Sequence, residues 1–296
     1  MTTAFNLSVM FMFITVCSLR IILAGWGWSG FLNDNKEGNV LLKIAAETAF
    51  IIIIGVFINT AIVFISGCLG MYNYMIEWLA WVVIAATGIV LRLLYENRIR
   101  RLPEAGSFVL AILVVITVLS AGMLMPKRGE WIVGGWDPGV YVNEGVALSR
   151  TGTFNPSDLL FHSLTADEQK AFSRTDKGRT ERFPGVAADF AKKSFSFQFS
   201  RFTPSFIAFL HRYGGLRAAV RVNLFTGLLV LYVLFVLVWK GSSAFCASFA
   251  IFFLLTQPVF LYHTHIPISE MFQLFWIVSA GIVLLDNKNI FSKRLL

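Results

Sequence analysis

The sequence has few cysteines, few charged residues and no motif for binding a soluble nucleotide. Its three cysteines, Cys17, Cys68 and Cys246, all lie in or beside apolar runs, which favours packing roles over disulfides or metal binding. No glycine-rich phosphate loop follows a strand and opens a helix, so a nucleotide-sugar donor is disfavoured. Neither a repeat of about 20–50 residues nor a low-complexity tract is visible. Disulfide-stabilised and repeat architectures are therefore disfavoured.

Hydrophobic residues are abundant instead, at 56% of the 296 residues, which argues against a soluble protein. A membrane-spanning helix needs about 20 apolar residues. The first apolar run lacks a basic segment before it and a small-residue cleavage site after it, so it is not predicted as a signal peptide. The sequence therefore predicts an all-α polytopic membrane protein with about seven transmembrane helices, near 5–24, 42–66, 74–94, 106–125, 217–239, 243–262 and 268–285.

Basic residues set the predicted orientation and domain organisation. Arg98, Arg100 and Arg101 lie between the third and fourth spans, and short basic connections stay in the cytoplasm. Lys36 and the basic C-terminal tail agree with this orientation. The clusters also explain the net charge of +8 without nucleic acid. We therefore predict a plasma (inner) membrane protein with an N-terminal three-span region, 1–105, and a second region, 106–296, whose large loop 126–216 is extracytoplasmic.

One acidic residue lies inside a predicted span. Glu47 falls in the second apolar run, with Lys43 one helical turn before it. An ionisable residue within a membrane is a functional hypothesis by default. Because Lys43 is close enough to neutralise the carboxylate, we predict a structural Lys43–Glu47 pair.

The large loop opens with the sequence "GGWDPGVYVNEGVALSRTG". Asp137-Pro138 is typical of a helix start, and Gly152 is typical of a stop after Arg150. On this helix Asp137, Tyr141 and Glu144 are spaced i, i+4, i+7 and share one face. Asp137 is alternatively only a cap, and Glu144 only part of a solvated face. Trp131 and Trp136 just before Asp137 favour a position at the membrane interface.

The rest of the loop divides into two parts. The segment "HSLTADEQKAFSRTDKGRTERFPG" is polar and mixed in charge, so we expect an exposed excursion. The segment "KKSFSFQFSRFTPSFIAFLHRYGG" combines six phenylalanines with Lys192, Lys193 and Arg201, and predicts an interfacial helix or a re-entrant segment. Its basic residues are expected either to bind lipid phosphates or to anchor the segment at the headgroups.

The order of these motifs resembles the GT-C superfamily of membrane glycosyltransferases, in particular the protein O-mannosyltransferase and aminoarabinose-transferase branch. The first similarity is the loop acid, aromatic and two small residues at Asp137, Tyr141, Gly145 and Gly152. The second is "RFTPSFIAFLHRYGG" followed by "LRAAVRVNLFTG", in which Arg221 matches a family arginine. The third is "QPVFLYHTHIPISEMF", with Pro258 and the Ser269-Glu270 pair. The resemblance covers about residues 106–285.

This resemblance implies transfer of a sugar from a polyprenyl-phosphate carrier to an acceptor on the outer face, among membrane lipids. Asp137 is the expected general base and Glu144 the alternative. The leaving phosphate needs a cation, which Arg217 and Arg221, expected on one helix face, supply unless they only reach towards headgroups. The remaining expected substrate-binding residues are Tyr141, Arg201, Glu270 and His265.

Several alternatives stay open at this stage. We expect no cofactor and no metal ligands, although His263, His265 and Glu270 are residue types that bind divalent cations. A transporter or flippase of a lipid-linked substrate is the second functional class, although transporters tend to have repeats and mid-membrane charges. A non-catalytic subunit with a partner membrane protein is the third.

Overall fold

The computed structural model describes residues 2–29, 40–95, 137–176, 179–190 and 192–286. Helices dominate these residues, as the sequence predicts, and a small sheet accompanies them. Several predicted features lie outside the described residues: the span 106–125, Lys36, the arginines at 98–101, Trp131, Trp136 and the basic tail.

We number the described elements in chain order. The helices are α1 (Thr2–Ser29), α2 (Val40–Cys68), α3 (Tyr74–Tyr95), α4 (Asp137–Thr151), α5 (Leu159–Ser163), α6 (Ala166–Ala171), α7 (Phe202–Ala219), α8 (Val222–Gly241), α9 (Ala244–Leu255), α10 (Pro258–His265) and α11 (Ser269–Asp286). The strands β1 (Arg174–Asp176), β2 (Arg179–Phe183), β3 (Val186–Asp189) and β4 (Ser194–Phe197) lie between α6 and α7.

The prediction of seven membrane spans is wrong in number. Among the described residues, three helices are long and apolar enough to cross a membrane, and they are Val40–Cys68, Tyr74–Leu94 and Val222–Gly241. The predicted span 243–262 is broken, because α9 and α10 meet at an angle of 69°, and counting this pair as one span gives four. Phe13–Ser29 is a further apolar stretch within α1, and Ser269–Leu285 is a shorter apolar helix. Apolar composition therefore identified membrane helices but overstated how many run straight across.

Helices α1 and α2 pack with their backbones in close contact. A β-carbon added at Gly55 would lie 2.1 Å from the carbonyl oxygen of Ile21, and one added at Gly25 would lie 1.8 Å from that of Ile51. Only glycine permits such an approach, which is common where membrane helices pack. The largest group of buried residues then joins α1 and α2 to α4, α7, α8 and α11, so the loop helices share the core of the membrane helices.

Glu47 has a different partner from the one predicted. Its carboxylate lies 2.7 Å from a guanidinium nitrogen of Arg92 at the end of α3. Arg92 also donates to the hydroxyl of Ser29 at 3.1 Å and lies over the ring of Trp26. The planar guanidinium serves all three contacts at once, which a lysine ammonium does not. The ion pair of Glu47 therefore joins α2 to α3 rather than two turns of α2.

The polar middle of the loop is largely exposed, as the sequence predicts, and it also folds into short helices and a small sheet. Its strands form an antiparallel sheet in the order β1-β2-β3-β4, and Val186 pairs with Phe197 while Asp189 pairs with Ser194. Phe161 from α5 packs with Val186 and Phe195 beneath this sheet. The segment predicted as an interfacial helix or a re-entrant segment instead divides into β4 and α7, whose start is buried.

A break between α7 and α8 separates two predicted site residues. Gly215 has φ +64° and kinks α7, and α8 begins only at Val222. Arg217 is therefore an exposed residue of α7, and Arg221 is the half-buried residue that precedes α8. The prediction that both arginines lie one turn apart on a single span is wrong.

The loop and the connection between α10 and α11 lie at the same end of the bundle. The backbone N–H of Tyr72, in the turn between α2 and α3, donates to the carbonyl of Gly152 at 3.1 Å. Near the start of α8, the amide of Asn223 donates to the carbonyls of His263 and Ile268 at 3.1 and 2.9 Å. We call this the loop end, and it contains every candidate site residue described below.

Candidate functional site

Helix α4 has the boundaries that its sequence predicts. It begins at Asp137 and ends at Thr151, and Gly152 follows with φ +78°, a conformation that glycine adopts without strain. A β-carbon at Gly145 would lie 2.5 Å from a methyl carbon of Ile207 and 2.9 Å from the carbonyl of Pro204. The small residue at 145 is thus needed for α4 to lie closely along α7.

The predicted stripe on α4 leads from solvent into the protein interior. Asp137 is exposed, Tyr141 retains 7% of its exposure and Glu144 retains 1%. The i, i+4, i+7 spacing therefore does place the three side chains on one face. The alternative that Glu144 is only part of a solvated face is wrong, because this residue is buried.

Tyr141 connects α4 to the start of α11. The side chain of Ser269, the first residue of α11, lies near its hydroxyl, and its ring stacks on Phe199 with centroids 4.5 Å apart. Burial raises the pKa of the Tyr141 hydroxyl, and the carboxylates of Glu270, Asp137 and Glu144 raise it further. The hydroxyl therefore stays protonated at neutral pH and lies among three acidic side chains.

Glu144 is a buried carboxyl group without complete pairing. Its Oε2 atom has no hydrogen-bond partner, and burial raises its pKa to about 8, an effect that the nearby Arg201 opposes. A charged carboxylate in an apolar environment is strongly disfavoured unless it is paired. Glu144 is therefore mostly protonated at neutral pH, and one of its oxygens remains open to a hydrogen bond.

Arg201 supplies positive charge next to this carboxyl group. It immediately precedes α7, is exposed, and lies over the ring of Phe154 at 5.1 Å. Arg201 is the predicted cation whose influence reaches Glu144. The guanidinium is held by an aromatic face, which leaves its donors directed towards other groups.

Three helix starts converge at this cluster. Tyr141 lies near the start of α4, Ser269 is the first residue of α11, and Phe202 at the start of α7 packs against Phe272 of α11 at 5.7 Å. Helix N-termini present unpaired backbone N–H groups and partial positive charge. The arrangement is suited to an anionic group, such as a phosphate, held beside acidic side chains that act on a neighbouring hydroxyl.

The segment "QPVFLYHTHIPISEMF" contains the helix α10 and the start of α11. Glu270 lies exposed in the first turn of α11, where the sequence predicts it. His265 is half-buried at the end of α10, and the ring of His263 bonds to the carbonyl of Val259 at 3.1 Å. Among the described residues, no group of three or more histidine, cysteine or acidic side chains is arranged to hold a metal ion.

Sequence reasoning missed the residue that positions this segment. Asn223 is 1% exposed in the apolar start of α8, and its amide nitrogen holds the carbonyls of the connection that precedes Ser269. Its remaining oxygen, Oδ1, has no hydrogen-bond partner. A lone asparagine at the start of an apolar run was the available signal, because burial of an amide requires specific partners.

Sequence reasoning also missed a buried ion pair nearby. Arg20 of α1 and Glu77 of α3 are 1% and 0% exposed, and the guanidinium donates to the Glu77 carboxylate and to the hydroxyl of Tyr213. The Tyr213 hydroxyl in turn bonds to Glu77 at 2.8 Å. The rings of Trp78 and Phe209 lie 4.8 and 5.3 Å from the guanidinium carbon. This cluster joins α1 and α3 to α7 beneath the candidate site.

Comparisons with protein-family models, with curated proteins and with solved structures find no match for this chain. The geometry of the described residues therefore carries the functional argument.

Proposed function

We propose that this protein is a membrane glycosyltransferase that moves a sugar from a polyprenyl-phosphate carrier to an acceptor hydroxyl on the extracytoplasmic face of the plasma (inner) membrane. The observation that carries the proposal is the proximity of Ser269 and Glu270, at the start of α11, to the Tyr141 hydroxyl on α4. The same hydroxyl lies near Asp137 and Glu144, at a point where helix starts converge.

Asp137 is the proposed general base. Its side chain is exposed on α4, so an acceptor reaches it without rearrangement. The acceptor oxygen attacks the anomeric carbon and its proton passes to the Asp137 carboxylate, while the bond from that carbon to the carrier phosphate breaks. General-base help of this kind contributes about 10²–10⁴ in rate.

Arg201 is the proposed contact for the carrier phosphate. The leaving group departs as a phosphate and needs cationic stabilisation rather than a proton, and the guanidinium fork matches phosphate oxygens. Arg221 remains a second candidate at the loop end, whereas Arg217 no longer shares a helix with it. Tyr141 and Glu270 are the proposed contacts for sugar hydroxyls, and His265 lies one connection away.

A transfer assay tests the proposal directly. Purified protein in vesicles receives a radiolabelled polyprenyl-phosphate sugar and a panel of hydroxyl acceptors, and we expect label in the acceptor. Label that crosses the bilayer while still attached to its carrier would instead support a flippase. Label that binds without transfer or translocation would support a non-catalytic subunit.

The side of the membrane has its own test. With the native cysteines removed, Ser173→Cys in the loop should react with a membrane-impermeant thiol reagent added outside. Ser242→Cys is the matched control, because Ser242 lies exposed between α8 and α9 at the opposite end of α8. The reverse labelling pattern would place the candidate site in the cytoplasm.

A lipid-substrate transporter is the second candidate function, and one observation favours it. The Arg20–Glu77 pair is buried within the helices, and transporters often carry ionisable groups inside the membrane. However, Glu77 lies in the first turn of α3, close to one end of the bundle. This position agrees better with a structural cluster under the loop than with a mid-membrane substrate site.

A further inference from the structure

Two loop-end helices cross at a point that carries a surplus of positive charge. Ser149 of α4 and His211 of α7 meet there, with the serine hydroxyl 2.9 Å from Nδ1 of the imidazole. The next residue on each helix is an arginine. Arg150 is exposed on the last turn of α4, and Arg212 lies over the ring of Tyr72 at 4.6 Å. We call Arg150, His211 and Arg212 the basic corner.

Little negative charge offsets the basic corner. Within the described ranges, the only carboxylate at ion-pair distance from it is Glu77, 3.9 Å from Nε of Arg212, and Glu77 already pairs with Arg20. Arg20 and Arg212 thus share one carboxylate. Burial lowers the pKa of His211, and the positive charges of Arg150 and Arg212 lower it further. Like charges held together are unfavourable, so an anion would stabilise the corner.

The position of the basic corner in the bundle indicates which anion it meets. Tyr72, beneath Arg212, lies in the turn that joins α2 and α3, two of the helices long enough to cross a membrane. A turn between two spans emerges at the bilayer surface. The Tyr72–Gly152 hydrogen bond brings the end of α4, and with it Arg150, to this same level. The arginines therefore lie at the depth of lipid headgroups.

The same turn offers apolar surface to lipid chains. Leu69 and Met71 are 68% and 54% exposed, and both line a groove of about 410 Å³ between α2 and α3, whose lining is almost entirely apolar. A phospholipid bound at the turn would thus meet guanidinium groups at its phosphate and aliphatic side chains at its acyl chains.

We propose that the basic corner binds the phosphate of an anionic bilayer phospholipid. Arg150 and Arg212 contribute guanidinium donors that match the phosphate oxygens, and the outer nitrogen of His211 adds a donor. This site is separate from the proposed reaction site. Arg150 is 13 residues after Asp137 on α4, a distance of about 20 Å along the helix. It does not depend on the protein being a glycosyltransferase.

Lipid titration of the full-length protein tests the proposal. Detergent-purified protein is mixed with phosphatidylglycerol or with phosphatidylcholine, and bound lipid is counted by native mass spectrometry. We expect preferential retention of phosphatidylglycerol, weakened about fivefold by Arg150→Gln, since one basic residue near a membrane surface contributes about that factor. Arg150→Lys should retain most of the binding. Lys170→Gln, which removes one charge from exposed α6, is the matched control and should bind like the wild type.

A second measurement reports on the corner itself. The titration of His211, followed by NMR of the imidazole, should move to higher pH when phosphatidylglycerol is added, because the lipid phosphate offsets the two guanidinium charges. An equal movement with inorganic phosphate at the same concentration would show a soluble-anion site and overturn the lipid assignment. Equal loss of lipid in Arg150→Gln and Lys170→Gln would also overturn it, since general surface charge would then explain the binding.

Discussion

Glu77 and Glu144 are both fully buried carboxyl groups at the loop end, yet their surroundings differ. Glu77 is bound by Arg20 and by the hydroxyl of Tyr213, and Arg212 lies nearby. Each carboxyl group has one oxygen without a hydrogen-bond partner. That of Glu77 has Arg212 at 3.9 Å, whereas burial raises the pKa of Glu144 to about 8. Burial of a polar group is tolerated when its partners are present and is unfavourable when they are missing.

This difference separates a structural role from a functional one. The Glu77 cluster links three helices and has no direct opening to solvent, so it stabilises the fold. Glu144 lies one turn below Tyr141 on the stripe that begins at exposed Asp137. Perturbed pKa values concentrate at functional sites. The four predictions below test whether the two carboxyl groups divide in this way.

The largest effect is expected from breaking the Glu77 cluster. Arg20→Met leaves the Glu77 carboxylate buried without its main partner, and loss of one member of a buried pair costs about 3–5 kcal/mol. Thermal unfolding in detergent micelles should show this loss. The double variant Arg20→Met/Glu77→Leu is the control and should recover most of the stability, because it leaves no uncompensated charge. A single variant as stable as the wild type would contradict the structural role.

The next effect concerns the exposed end of the stripe. Asp137→Asn keeps the size and capping oxygen of the side chain but removes the proposed proton acceptor. Turnover in the transfer assay should fall by about 10²-fold or more, while donor affinity and thermal stability remain close to wild type. If the variant transfers sugar at the wild-type rate, Asp137 is only a cap, and Glu144 becomes the candidate base.

Local signals were sufficient to predict α4 but not to predict what it contacts. Asp137-Pro138 and Gly152 define its ends through backbone conformation alone, so the sequence specified both boundaries. The meeting of Tyr141 with Ser269 joins residues 128 positions apart and depends on how α7, α8 and α11 pack. The orphan oxygen of Glu144 follows from this packing, and no sequence pattern indicates it.

The errors have similar physical causes. Lys43 was the nearest cation to Glu47 along the chain, but Arg92 is the nearest in space because α2 packs beside α3. The sheet was missed because its strands contain only three to five residues, and its polar face obscured the buried Phe161 and Phe195. The broken helix at Leu255–Pro258 was overlooked because hydropathy does not report bending.

A third prediction concerns the pH dependence of stability. The Glu144 carboxyl group has its usual pKa of 4.5 in the unfolded chain and a pKa of about 8 in the folded protein. Between these two pH values the unfolded chain has released a proton that the folded protein keeps. The unfolding free energy should therefore fall as pH rises through this window, by at most about 1.4 kcal/mol per pH unit. Glu144→Gln, which does not ionise, should lack this decline when melting temperatures are compared from pH 5 to 9.

The control for that experiment is Glu168→Gln, on exposed α6. Hydrogen bonds from Thr165 lower the pKa of Glu168, so its linkage has the opposite sign and lies at more acidic pH. This variant should therefore retain the wild-type decline between pH 5 and 9. Parallel melting curves for wild type and Glu144→Gln across the range would show that Glu144 has a partner and an ordinary pKa.

The smallest effect is expected at Arg201, the cation that opposes the effect of burial on Glu144. Because Arg201 is exposed, water and salt screen its charge, and its influence on the Glu144 pKa should be modest. Arg201→Gln should extend the decline in stability to slightly higher pH, whereas Arg201→Lys should leave it in place.

The difference between Arg201→Gln and the wild type should shrink in 1 M salt, where charges more than about 3 Å apart are already screened. A matched loss of charge at Lys170 should leave the decline unchanged. If Arg201→Gln and Lys170→Gln give the same dependence of stability on pH, Arg201 does not act on Glu144. The Glu144 carboxyl and the Arg201 guanidinium would then no longer support a common site for phosphate binding and acid–base chemistry.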